Sequence, residues 1–145
     1  MAELRDKILE RINDVRDPCS LASAFPIGLS DMGLVSELRI SEPPGSGRPH
    51  EVALVLRVTA PGCMYVPFME RSVRAALSEL DEVGEISIEW QKDASWTPAD
   101  MAEPVRRRLA ETRARRLEEY VKRPAASRFI APPQPRGHRS DGGFA

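Results

Sequence analysis

Two cysteines and two histidines are the side chains of this 145-residue chain best suited to soft-metal binding or nucleophilic attack. Cys63 stands out by its setting, Thr59-Ala60-Pro61-Gly62-Cys63-Met64, which joins the end of a strand pattern to the start of a helix pattern. Loops at the carboxyl ends of strands are the usual seat of sites in sheets with helical crossovers. Backbone N–H groups and the dipole at a helix N-terminus favour a thiolate over a thiol. A thiolate is the form needed for attack, for disulfide exchange or for binding iron. Position alone leaves a second reading open, in which Cys63 is a small buried hydrophobe. Cys19 follows Asp17-Pro18, and His50 and His138 fall in segments rich in turn formers. The spacing of Cys19, Cys63, His50 and His138 fits no four-ligand zinc motif. Asp14, Asp17 and Asp31 offer carboxylates, but no Ser/His/Asp arrangement accompanies them. Gly45-Ser46-Gly47 reads as a hairpin turn and not a phosphate loop, because no helix follows it directly.

The elements that must position these groups are legible as periodicities. Over residues 3–16, Leu4, Ile8, Leu9, Ile12 and Val15 share one helical stripe, and Asp17-Pro18 ends it. Residues 17–33 read as a long loop, the kind that often carries function. Leu34, Ser36, Leu38 and Ile40 alternate with Val35, Glu37 and Arg39; Val52, Leu54, Leu56 and Val58 alternate with Ala53, Val55 and Arg57. The linker over residues 41–50 predicts an antiparallel hairpin between these two strands. Val66, Met69, Val73, Ala76, Leu77 and Leu80 predict a helix with Pro67 in its first turn. A short strand follows, with Ile86, Ile88 and Trp90 on one face. Strand–helix–strand implies a right-handed crossover and a parallel pair. Thr97-Pro98-Ala99-Asp100 predicts the start of a last helix, with Thr97 as N-cap and Pro98 as first helical residue. That helix turns Met101, Val105 and Leu109 inward and projects beyond Ala110. Trp90 and Trp96 read as core or loop anchors. The expectation is an α+β fold with one mixed sheet: residues 1–110 as the domain, 111–123 as a projecting basic helix, and 124–145, rich in Pro, Gly, Ser and Arg, as a disordered tail.

Composition narrows the function classes. With 30% charged and 41% hydrophobic residues the chain is a globular one, and no stretch approaches the roughly 20 apolar residues of a membrane span. The charged N-terminus, without an apolar signal core, predicts a cytoplasmic protein. Two cysteines exclude a disulfide-dense scaffold. Net charge is −1, yet residues 1–103 hold 10 Lys+Arg against 18 Asp+Glu, and residues 104–145 hold 11 against 4. The basic run includes Arg106, Arg107, Arg108, Arg113, Arg115, Arg116, Lys122 and Arg123, interspersed with Glu111, Glu118 and Glu119. It reads as a solvated helix face or as a docking surface for an acidic protein. Stacking aromatics and a reading motif are missing, so no nucleic-acid partner is expected.

Four blocks in order carry a resemblance: Asp17-Pro18 after the first helix; Leu29-Ser30-Asp31-Met32-Gly33-Leu34-Val35; Thr59-Ala60-Pro61-Gly62-Cys63; and Trp96-Thr97-Pro98-Ala99-Asp100-Met101. Over about residues 3–110 the chain resembles the small iron–sulfur assembly family that includes SufT, PaaD and the MIP-eighteen proteins. The resemblance implies a protein, not itself an enzyme, that helps insert or traffic iron–sulfur clusters in client apoproteins alongside other assembly factors. In the family the cysteine of the T-x-P-x-C loop is the reactive, required residue, here Cys63. The aspartate of its Asp-Pro motif maps to Asp17. A transient iron–sulfur cluster is the implied cargo, and a homodimer is one assembly the resemblance allows. Two departures bear on the site. The family's Asp-Pro-Glu reads Asp17-Pro18-Cys19 here, so Cys19 is either an accidental buried thiol or a second soft ligand or redox partner for Cys63. The residue after Cys63 is Met64, where the family has proline. The cysteine-rich C-terminal segment of PaaD-type members is absent. Two other functions stay open at this point: an accessory subunit that docks on a metalloenzyme through the basic helix, and a thiol-redox protein using Cys19 and Cys63.

Overall fold

The computed structural model describes residues 1–18, 20, 25–45, 47–93 and 95–125. Residues 1–112 form one compact unit; the residues from 113 onward form a second and are described by themselves. The first helix, α1, spans Ala2–Asp14. Its apolar residues recur every four positions, so Leu4, Ile8 and Ile12 line one buried stripe, with Leu9 and Val15 packed at its margin. Val15 is extended (φ −76°, ψ 115°), ending the helix two residues before Asp17-Pro18.

Three strands form one sheet in the order β1 (Val35–Ser41), β2 (His50–Arg57), β3 (Val83–Gln91). β1 and β2 are antiparallel, as the hairpin reading expects, and β2 and β3 are parallel through the helix α2 (Val66–Ser78). The chain is therefore an α+β fold with a mixed sheet. Leu38 lies opposite Leu54 and Ile40 opposite Val52, while Ile88 and Trp90 of β3 flank Leu54 and Leu56 of β2. These side chains share one face with Leu4, Ile8 and Ile12 of α1 and Met69, Val73 and Leu77 of α2 in a single core. Each large aliphatic side chain so buried contributes about 1.5–3 kcal/mol. The other face carries Glu37, Arg39, Ala53, Ser87 and Glu89, all exposed. The two outer strands each have a carbonyl partnered by a helix arginine. Arg5 of α1 donates to Leu38 O (3.0 Å) and Arg74 of α2 donates to Ile86 O (2.6 Å). Such cover blunts edge-to-edge pairing.

Some local expectations need correction. The register shifts between Val35 and Glu37, so Ser36 is an exposed extra residue and not a core-facing one. His50 opens β2 instead of sitting in the turn, and β3 is longer than its apolar alternation, running from Val83. Thr97 does cap a helical turn, but that turn is a separate 3₁₀ segment, Pro98–Asp100. The last helix, α3, starts only at Glu103 and runs to Lys122 with no buried residue. Met101 interrupts the two because it is extended (ψ 150°) and buried, and because the N–H of Ala102 donates to Asp31 O (2.8 Å). The predicted disordered tail lies, from residue 126, outside the described residues, as do Cys19 and His138.

Candidate functional site

Three of the four sequence blocks build scaffold around one another. Asp17 is buried; its Oδ2 accepts from the N–H of Ser20 (2.8 Å) and its own N–H donates to Ile27 O (2.8 Å). The Ser20 hydroxyl accepts from Ile27 N–H (2.9 Å) and donates to Asp17 O (2.7 Å). A buried carboxylate with such donors is satisfied where it stands. Asp31 joins α1, with its N–H donating to Asn13 Oδ1 (2.9 Å) and its Oδ2 accepting from Asn13 Nδ2 (3.0 Å). The fourth block closes on the second. Trp96 Nε1 donates to Met32 O (2.7 Å), and a Cβ on Gly33 would stand 2.1 Å from Asp100 O. Asp100 accepts the N–H of Thr97 (2.8 Å) and lies 3.5 Å from Arg57 Nη2. That hydrogen bond, with the Arg57 charge second among the favourable causes, holds its carboxyl below the usual carboxylate range. Trp90 also acts as an anchor, donating to Glu70 Oε2 (3.0 Å).

The third block is left exposed. The loop of residues 59–65 leaves β2 after Val58 and enters α2 at Val66, and Gly62 supplies its left-handed turn (φ +69°). Cys63 is half-buried and packs against the core, three residues before the first residue of α2. It lies in the wall of an open pocket of about 350 Å³ lined by Val58, Gly62, Met64, Val66, Pro67 and Lys92. Met64 (80% exposed), Tyr65 (43%) and Phe68 (54%) stand out into solvent beside it. The N-cap position of α2, Tyr65, makes no side-chain cap. Sequence reasoning did not pick out this apolar collar or Lys92. A signal was present, since residues 58–69 contain no charge in a chain that is 30% charged.

Asp17 is not among the residues lining the Cys63 pocket. The described residues hold no group of three or more His, Cys, Asp or Glu able to bind a metal ion. Iron–sulfur clusters of the common types take about four cysteine ligands. With two cysteines in the whole sequence, one chain cannot complete that set. Within the basic run, Arg108 is not a free charge: its guanidinium lies 4.2 Å from the ring centroid of Phe25. No helix of the described residues is long and apolar enough to cross a membrane.

The fold has relatives among solved structures. The crystal structure of the DUF59 domain of unknown function from Bacillus anthracis superposes with TM-score 0.62 at 18% identity, covering 75% of this chain and 93% of that one. A conserved hypothetical protein from Thermotoga maritima superposes with TM-score 0.56 at 19% identity, covering 72% and 92%. At such identities the likeness concerns the fold. No curated protein sequence matches. The family model described as "Iron-sulfur cluster assembly protein" matches residues 5–88, which takes in the first three blocks and all three strands nearly to the end of β3. The chain belongs to the iron–sulfur cluster assembly protein family.

Proposed function

We propose that this protein is an assembly factor that passes an iron–sulfur cluster to client apoproteins, with Cys63 as the thiolate that meets cluster or client and with no turnover chemistry of its own. The observation that carries the reading is the placement of Cys63. It is half-exposed in an open pocket, on a loop gripped between a core strand and a core helix, among exposed apolar side chains. Membership of the family supports an iron–sulfur cluster as the cargo. Cys19 and Asp17 remain secondary candidates in this reading, Cys19 as a further ligand and Asp17 as the group that shapes the neighbouring loop. The protein works in the cytoplasm with other assembly factors.

Transfer proceeds as ligand exchange. A client thiol loses its proton to solvent, its sulfur bonds the iron held by Cys63, and the Cys63–iron bond breaks; no oxidation state changes. Because one chain supplies at most two cysteine ligands, the remaining positions fall to the client or to another factor. Anaerobic reconstitution with iron and sulfide, followed by transfer to an acidic apo-ferredoxin, tests this. Cys63→Ser, a nearly isosteric change at a half-buried position, should keep the melting temperature and abolish transfer. Unimpaired transfer by that variant overturns the proposal.

A further inference from the structure

The collar around Cys63 has a chemistry of its own. Residues 58–69 are uncharged, and Met64, Tyr65 and Phe68 expose large apolar surfaces within five residues of the chain, where the loop enters α2. Lys92 is the single charged residue lining the pocket among the described residues. Arg71 is exposed three residues beyond Phe68, hence next to it on α2. Neither Lys92 nor Arg71 forms an ion pair among the described residues. Of the acids next to them in sequence, Glu70 is ion-paired with Arg74 and hydrogen-bonded by Trp90, while Asp93 keeps its charge and accepts from the neutral Gln91 and Ser95. An otherwise acidic body therefore has an apolar face around its half-buried thiol, with Lys92 and Arg71 at the rim and Asp93 as the one acid beside them without an ion pair among the described residues.

Resting on the cluster-transfer reading, we propose that this face docks an acidic client segment that inserts one aliphatic or aromatic side chain into the pocket beside Cys63. Charge decides between occupants. Two copies of this chain meeting about a two-fold axis through Cys63 would bring Lys92 and Arg71 of both copies to one rim, where like charges repel. An acidic segment meets the same rim as complement, gaining rate and orientation from it. The pocket takes the anchor, in the manner of an interface whose binding concentrates in one desolvated apolar contact. Docking there brings the client segment beside Cys63.

The test uses the full chain with ¹⁵N labelling and three synthetic peptides as probes: acetyl-Asp-Glu-Leu-Ser-Asp-amide, the same peptide with Leu replaced by Ala, and the same with its three acids replaced by Lys. The acidic leucine peptide should shift the amides of residues 62–66, 68 and 92 saturably. It should bind about fivefold or more tightly than either control, with the margin over the Lys peptide shrinking as salt rises. Lys92→Glu should erase the preference for acid, and Phe68→Ser should weaken all binding at the face. Equal binding of the three peptides, or none, overturns the proposal. So do shifts at residues 62–66 and 68 that grow with protein concentration in the absence of peptide, which would make a second copy the occupant. The two readings fail separately. Cys63→Ser should leave peptide binding intact, so full ferredoxin transfer by Cys63→Ser refutes the function. Full transfer by Lys92→Glu and Phe68→Ser with Cys63→Ser inactive refutes only the docking.

Discussion

Gly33 and Gly62 both adopt left-handed backbone, at φ +77° and +69°, for different reasons. At Gly33 an added Cβ would meet Asp100 O at 2.1 Å, so the glycine lets the segment before β1 touch the Thr97–Asp100 turn. At Gly62 nothing lies within 4 Å, and only the backbone hand calls for glycine. Gly62→Ala should therefore cost about 1 kcal/mol, the left-handed penalty alone, and Gly33→Ala about 3 kcal/mol or more, because a packed contact must also give way. Denaturant midpoints of the two variants check this; equal losses would show that the Gly33 contact relaxes freely. The same contrast explains what was legible at the site. Cys63 is singled out by its place between a strand pattern and a helix pattern together with the loop motif it resembles; position alone also allows a small buried hydrophobe. Asp17 enters as a site residue only through the Asp-Pro motif; the structure places it as a buried carboxylate bonded to Ser20, and a motif letter does not separate a group that shapes a loop from one that faces a substrate. The exposed apolar collar of Met64, Tyr65 and Phe68 is not read from the sequence because helical spacing marks Val66, Met69 and Val73 as the inward stripe and says nothing of large apolar residues outside it.

Elements with strong periodicity matched the structure, and those settled by tertiary contacts did not. The stripes Leu4–Ile8–Ile12 and Met69–Val73–Leu77 and the face Val52–Leu54–Leu56 follow from spacing alone, since each has one solution that buries it. The bulge at Ser36 left no mark in the sequence. The start of α3 was misplaced because Thr97, Pro98 and Asp100 are the same signature for one turn as for a whole helix; the carbonyl of Asp31, a distant residue, takes the N–H of Ala102 and ends the turn. Asp100 gives this turn a pH dependence. Its folded-state pKa is depressed below the ordinary 3.8, so the folded form binds a proton more weakly than the unfolded chain. The stabilisation is therefore complete above that value and is lost as pH falls through the lower folded-state pKa. Asp100→Asn should be less stable than the native sequence at neutral pH, with the gap closing on acidification below 3.8. Urea titrations of both proteins at neutral and acidic pH check it. A gap that stays constant would mean the side chain acts through shape and not charge.

At the scale of the whole molecule the chain divides by charge. Residues 113–145 hold 8 Lys+Arg against 3 Asp+Glu, so ending the chain after Thr112 changes net charge from −1 to −6. No residue of α3 is buried, and residues 113–125 are all exposed, so the core from Leu4 to Met101 is complete without them. The compact unit also ends at Thr112. A chain stopped there should melt within about 2 °C of the full protein, because losing exposed residues removes little buried area. Transfer to an acidic apo-ferredoxin should behave differently. Exposed positive charges such as Arg113, Arg115 and Arg116 attract an acidic partner over roughly the Debye length, about 8 Å at physiological ionic strength. The truncated chain should therefore transfer more slowly at low salt, and the two proteins should converge as salt screens the attraction. A collapsed melting temperature would mean that residues past Thr112 complete the fold. Equal rates with equal salt dependence would reduce the basic run to a solvated helix face, leaving Lys92 and Arg71 as the cations that meet the partner.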